Sequence, residues 1–338
     1  MIRAEGLSKT FRRYEREPGV LGSLRTLFSR RHTTVTAVDE VSFEVAAGSR
    51  VAYLGANGAG KSTTVKLLTG VTTPTSGRCT VDGIEPYRER VRNSGNIGVV
   101  FGHRSQLWWD LSVPDSFRIL KHIYDIDEAV YRRNLSLFRD VLDIDALGTT
   151  PIRELSLGQR MRAEIAASLL HTPAVVFWDE PTIGLDLVLK EAVRDLANQI
   201  NRDHGTTIFL TSHDISDISA ICDQVLVVDQ GRIVHQGTLA ALLRTARHRA
   251  VHFDHRGDES PGQVAARIEE ALTGTSVSVD DQRRVTISFP VDRLTAREVL
   301  TWVLHRFDVT DCFAPEPDLQ TVLREIYGGR QPARSTAE

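Results

Sequence analysis

A chain of 338 residues, 41% hydrophobic and 25% charged, has the composition of a folded protein and is long enough for one large or two ordinary domains. The formal net charge of -3 lacks the basic footprint of a general nucleic-acid binder, so no nucleic-acid partner is expected. Cys79, Cys222 and Cys312 stand far apart with no CxxC pair, which excludes a cysteine metal site or disulfide framework by pattern and fits a reducing cytosol. No run approaches the roughly 18 apolar residues of a membrane helix, and the opening MIRAEGLSKTF has no signal-peptide core. Action at a membrane would come from outside the bilayer.

In chain order, the short apolar runs RVAYLG, NIGVVF, AVVFWDE, TTIFLTSH and QVLVVD read as mostly buried strands separated by helical stretches, which predicts an α/β fold with a mainly parallel sheet over residues 1–243. Arg12 to Thr36 interrupts this pattern. There Val20, Leu21, Leu24, Leu27 and Phe28 fall at helical spacing among arginines and predict a short basic amphipathic helix. Residues 102–154 read as a helix-rich insertion between two strands. From about Ala250 to Gly328 the order strand, helix, strand, strand, helix, strand predicts a small α+β ferredoxin-like domain with a terminal helix, and residues 329–338 read as a disordered tail.

GANGAGKST, Gly55 to Thr63, satisfies G-x-x-x-x-G-K-[ST] between a strand and a helix. Its backbone N–H groups, from Gly55, Ala56, Asn57, Gly58, Ala59 and Gly60 into the helix, suit phosphate oxygens, helped by the positive end of the helix dipole. Lys61 would reach the β- and γ-phosphates of ATP, and Ser62 would ligate Mg²⁺. AVVFWDEP places Asp179 and Glu180 where a strand ends, the side of an open α/β sheet on which ligands bind. Asp179 is the second Mg²⁺ candidate, through water, and Glu180 the general base for an attacking water.

GANGAGKST, LSLGQ, VVFWDEPTIGLD and LTSHD, in this order and spacing, resemble the nucleotide-binding subunits of ATP-binding-cassette (ABC) transporters over roughly Met1 to Leu243. The resemblance implies a P-loop NTPase (RecA-like) core with a helical subdomain, ATP hydrolysis, and a head-to-tail dimer, either a homodimer or one with a paired ABC subunit. It implies that Leu155, Ser156, Leu157, Gly158 and Gln159 form the signature that meets the partner's nucleotide; Leu157 stands where the commonest signature has glycine. A helix N-terminus attracts such an anion without a lysine, and Ser156 also reads as an ordinary helix N-cap. His213 matches the switch histidine beside the γ-phosphate, Asp186 the loop crossing the dimer interface, and Phe11 the aromatic stacking on adenine, with Tyr14 as competitor. The family's loop glutamine corresponds by downstream count to His103 in FGHRSQL, and Gln106 is the alternative.

The insertion after LSKTF, the QLWWDL run and the ending PDLQTVLREIYGG look like the ATPase subunits of bacterial type-2 ABC exporters, the drug- and antibiotic-efflux group. Polysaccharide or lipid exporters are the near alternative. Soluble ABC ATPases of ribosomes or DNA form a different class, disfavoured by a single P-loop and the acidic balance. A separate membrane permease is the implied partner, at the cytoplasmic face of the cell membrane. Trp108 and Trp109 are expected either to seat a permease helix or to pack inside the helical subdomain.

Overall fold

The computed structural model describes residues 1–14, 32–102, 105–257, 259–280, 283–317 and 319–328. The chain divides into two compact units, one spanning Met1–Thr238 and the other starting at Leu239. The division falls ahead of the expected Leu243, because the short helix Leu239–Leu243 belongs to the second unit.

The first unit is built on a six-stranded sheet. Its strands are β3 (Arg50–Gly55), β5 (Ile97–Phe101), β6 (Val175–Asp179), β7 (Thr207–Thr211), β8 (Gln224–Asp229) and β9 (Arg232–Thr238), in the order β5-β6-β7-β3-β8-β9. All neighbours are parallel except β8 and β9. Val175 to Trp178 and Thr207 to Thr211 are buried without interruption, as expected of central parallel strands covered on both faces.

A second sheet was not anticipated from the apolar runs. β1 (Ile2–Tyr14), β2 (His32–Val45) and β4 (Ser76–Val81) form an antiparallel sheet ordered β2-β1-β4. The expected amphipathic helix falls mainly on residues 15–31, which lie outside the described residues. At its margins the chain is strand, with Arg12 opposite Thr34 and Phe11 opposite Val35. The β-branched run TTVT suits that extended pairing better than a helix.

Helices of the first unit are α1 (Lys61–Leu68), α2 (Arg90–Asn96), α3 (Val113–Ile123), α4 (Glu128–Leu142), α5 (Leu157–Leu169), α6 (Leu187–His204) and α7 (Ile215–Ile221). α3 and α4 occupy the expected helix-rich insertion. α6 shows how the sequence sets such an element. Asp186 caps it by accepting the N–H of Leu189 at 2.9 Å, Val193, Leu196, Ala197 and Ile200 form one buried stripe, and Gly205 ends it at φ 66°. Under the sheet, Phe43, Tyr53, Phe177 and Phe209 pack ring to ring, with centroids 5.3 to 6.3 Å apart.

The second unit begins with α8 (Leu239–Leu243) and continues through β10 (His248–His255), α9 (Pro261–Ala271), β11 (Ser276–Val279), β12 (Arg284–Pro290), α10 (Ala296–Leu304), β13 (Val309–Phe313) and α11 (Leu319–Gly328). Its sheet is ordered β11-β12-β10-β13 with antiparallel neighbours throughout. Val285, Ile287 and Phe289 alternate into a core shared with Val264 and Ile268 of α9 and Val299 and Val303 of α10. Residues 329–338, expected as a tail, lie outside the described residues.

Candidate active site

β3 delivers the chain to Gly55, and the loop to Gly60 turns it into α1. Gly60 has φ 104°, and a Cβ there would lie 2.2 Å from the carbonyl oxygen of Ala37, so both conformation and space require glycine. Lys61 is 9% exposed. Its ammonium donates to the carbonyls of Gly55 at 2.7 Å and Ala56 at 3.2 Å, which uses two of its three N–H bonds. Burial holds its pKa below the ordinary lysine value, and the charges of Glu180 and Asp179 act in the opposite direction.

Those carboxylates stand where β6 ends. Asp179 accepts the hydroxyl of Thr211 from β7. Glu180 has φ 57°, uncommon for a residue with a side chain. The turn holds it there, its N–H donating to Thr211 O at 3.0 Å and its carbonyl accepting from Ile183 N at 3.3 Å. Glu180 Oε2 accepts the backbone N–H of His213 at 3.3 Å, and His213 Nε2 stands 3.4 Å from Oε1. Oε1 itself is enclosed and has no hydrogen-bond partner. Burial raises the carboxyl pKa above the usual value, with His213 and Lys61 lowering it and Asp179 adding to the rise. An enclosed, unsatisfied carboxylate oxygen and an ammonium with one N–H left over share this cleft, a polar arrangement with unfilled bonding capacity.

Asn57, Gly58, Gly60, Lys61, Ser62, Thr63, Asp179, Glu180 and His213 line a single cleft of about 380 Å³, together with Ala37, Gly102 and Ile183. The Gly-rich loop with the start of α1, the end of β6 and the loop after β7 thus bring nine of the sequence-selected residues together, while Gly55, Ala56 and Ala59 are not in the lining. The hydroxyl of Ser62 and the carboxylate of Asp179 are both hard oxygen donors, a set that fits Mg²⁺.

None of Leu155 to Gln159 lines this cleft. Ser156 caps α5, its Oγ accepting Gln159 N at 3.2 Å while its own N–H donates to Gln159 Oε1 at 2.9 Å. Leu157 is 40% exposed beside that cap. A Cβ on Gly158 would lie 2.6 Å from the carbonyl of Gly184, so the helix start rests on the TIGLD turn. Phe11 is exposed on β1 with the ammonium of Lys9 5.3 Å from its ring, away from the cleft lining; the side chain of Tyr14 lies outside the described residues. Gln106 turns its amide to the carbonyls of Glu164 at 3.2 Å and Val99 at 3.3 Å, and His103 lies outside the described residues. Trp108 and Trp109 are both exposed, with the guanidinium of Arg160 5.7 Å from the Trp109 ring.

Sequence reasoning missed three residues behind the cleft. Thr211 precedes SHD by one residue and was readable only as the end of a strand. Asp217 is fully buried and accepts from Arg194 at 2.7 Å and Ser212 at 3.5 Å, and also from Thr182, tying the turn after Glu180 to the one carrying His213. Glu164 is 4% exposed on α5. Carboxylates on helices give no local signal of such distant partners.

The family profile described as ABC transporter matches residues 38–183. Nod factor export ATP-binding protein I of Ralstonia nicotianae is 33% identical over 232 residues, covering 67% of this chain and 71% of that protein. The chain belongs to the ABC transporter family. ABC transporter ATP-binding protein NatA of Bacillus subtilis is 26% identical over 226 residues, covering 67% of the chain and 92% of NatA. A methionine import ATP-binding protein, MetN of Haemophilus influenzae, is 32% identical over 226 residues, and the chain spans 65% of its length. The post-hydrolysis dimer of an ATP-binding cassette bound to ADP and Pi superposes with a TM-score of 0.59 at 21% identity, over 71% of this chain and 99% of that one, which is a likeness of fold.

As a family member the chain is the ATP-hydrolysing subunit of an ABC transporter. Among the described residues no helix is long and apolar enough to cross a membrane.

Proposed function

We propose that this ABC subunit dimerises head to tail around two ATP molecules, docks on a separate permease, and powers export of drugs or other small molecules. The reading is carried by one observation: Lys61, Ser62, Asp179, Glu180 and His213 share a cleft from which the capped start of α5 is absent. In such a monomer the LSLGQ motif is left for a nucleotide held elsewhere. Ser62 and Asp179 would hold Mg²⁺, which would supply charge neutralisation at the β- and γ-phosphates. Lys61 binds those phosphates with its remaining N–H, and the loop N–H groups up to Thr63 surround them. Glu180 takes the proton of the attacking water, and burial, by raising its pKa, makes it a stronger base than an exposed carboxylate. His213, within 3.4 Å of Glu180, orients that water. Ser156 and Gly158 close the partner's site, and Asp186 lies on the turn that crosses to it.

The second unit is assigned as a ferredoxin-like accessory domain, on its βαββαβ order and the strand order β11-β12-β10-β13. Exposed Trp108 and Trp109 supply an aromatic seat for the permease. Export is supported by the Nod factor export relative. Import is the second reading, favoured by the methionine import relatives, one of them 33% identical over 228 residues. Inside-out vesicles carrying the chain with its permease separate the two: ATP-driven accumulation of substrate supports export, and ATP-driven depletion supports import.

A further inference from the structure

Glu164 is 4% exposed on α5, and among the described residues no lysine, arginine or histidine pairs with it. A buried carboxylate without a countercharge is costly unless hydrogen bonds replace its water. Here they do. The hydroxyl of Ser105 donates to Oε1 and the backbone N–H of Gln106 to Oε2 at 3.3 Å. Gln106 then clamps the same place from its side chain, donating to the Glu164 carbonyl at 3.2 Å and to Val99 O of β5 at 3.3 Å. Ser105 Oγ also accepts the N–H of Leu107 at 3.1 Å.

The location gives these bonds a direction. Gly102 lines the cleft, and Ser105 to Leu107 is the segment by which the chain leaves β5 for the helical insertion. Glu164 lies eight residues beyond Ser156, roughly 12 Å along the helix axis at 1.5 Å per residue. α5 is a single rigid element from that capped end.

Resting on the proposed nucleotide reading, we propose that Glu164 is a positioning residue that fastens the Ser105–Leu107 segment to α5, so that the LSLGQ end follows any movement of the chain leaving the cleft. Glu164 touches no substrate. Its effect is on where Ser156 and Gly158 stand when a partner's nucleotide must be met, and hence on turnover rather than on nucleotide capture by the monomer.

Glu164→Gln keeps an acceptor for Ser105 but sets an NH₂ against the N–H of Gln106, and Ser105→Ala is a milder cut of the same link. Full-length variants are tested for MANT-ATP affinity, for basal kcat and KM of ATP hydrolysis, and for thermal unfolding. Glu164→Gln is expected to hold MANT-ATP affinity and KM while lowering kcat about tenfold, since small misplacements of a positioned group carry losses of that order or more. The Ser105→Ala, Glu164→Gln double variant should lose no more than Glu164→Gln alone, because both cut one link. Unchanged kcat in Glu164→Gln, or additive losses that track the folded fraction, would overturn the proposal. Equal MANT-ATP binding by the unaltered chain and Lys61→Ala would instead remove the nucleotide reading beneath it.

Discussion

Glu180 accepts the backbone N–H of His213 on one carboxylate oxygen and faces the imidazole with the other, 3.3 and 3.4 Å away. Two loops, one following β6 and one following β7, therefore meet at one carboxylate. The strands are adjacent and parallel, with Asp179 opposite Thr211, so both loops emerge at the same sheet edge. That is the general reason such sheets place chemistry at strand ends.

Glu180→Gln is expected to retain MgATP but to lose about 10² to 10⁴ in turnover, the usual worth of a positioned general base. Single-turnover hydrolysis together with gel filtration in MgATP checks it. A persistent ATP-bound dimer is the expected product, and hydrolysis at the unaltered rate would remove Glu180 from the chemistry.

The pH dependence of stability is expected to depend on His171. Its Nε2–H donates to Ile97 O at 3.0 Å, its ring stacks on Tyr124 with centroids 4.1 Å apart, and its Nδ1 is buried without a partner. A second proton would have no acceptor, and burial pushes the pKa from 6.5 down to about 4. Between those values the unfolded chain binds the proton and the folded chain does not, so stability falls as pH drops from 6.5 towards 4. The full effect is about 3 kcal/mol. Urea unfolding of the unaltered chain and of His171→Gln at pH 7 and pH 4.5 measures it; parallel pH slopes for the two proteins would refute the assignment.

Residues 1–238 are expected to remain a folded ATPase when the second unit is removed, because every cleft residue precedes Leu239. Circular dichroism and ATPase assays of the shortened chain check this. Failure to recover folded protein would mean that the second unit completes the core of the first.

Much of this site was legible because its motifs end continuous apolar strands. RVAYLG and AVVFWDE announce both the buried strand and the polar residues at its tip, and β3 and β6 fall there. The sheet of β1, β2 and β4 was not legible. β1 and β2 mix polar and apolar residues, and β1 pairs with β4 across more than sixty positions, as in Ser8 opposite Ser76. Glu164 and Asp217 escaped notice for a related reason, since a carboxylate on a helix announces a solvated face unless its distant donors are known. Of the two loop candidates, Gln106 gives its amide to Val99 and Glu164, and His103 lies outside the described residues.

Mixing two inactive variants tests the head-to-tail site most directly. Lys61→Ala should destroy the nucleotide site of its own subunit, whereas Ser156→Arg should bind ATP normally and damage only its partner's site. In a mixed dimer one site then carries both defects and the other carries neither, so combining the two proteins should restore ATP turnover that neither has alone. A mixture as inactive as its components, with Ser156→Arg disabling the nucleotide of its own subunit, would contradict the assembly.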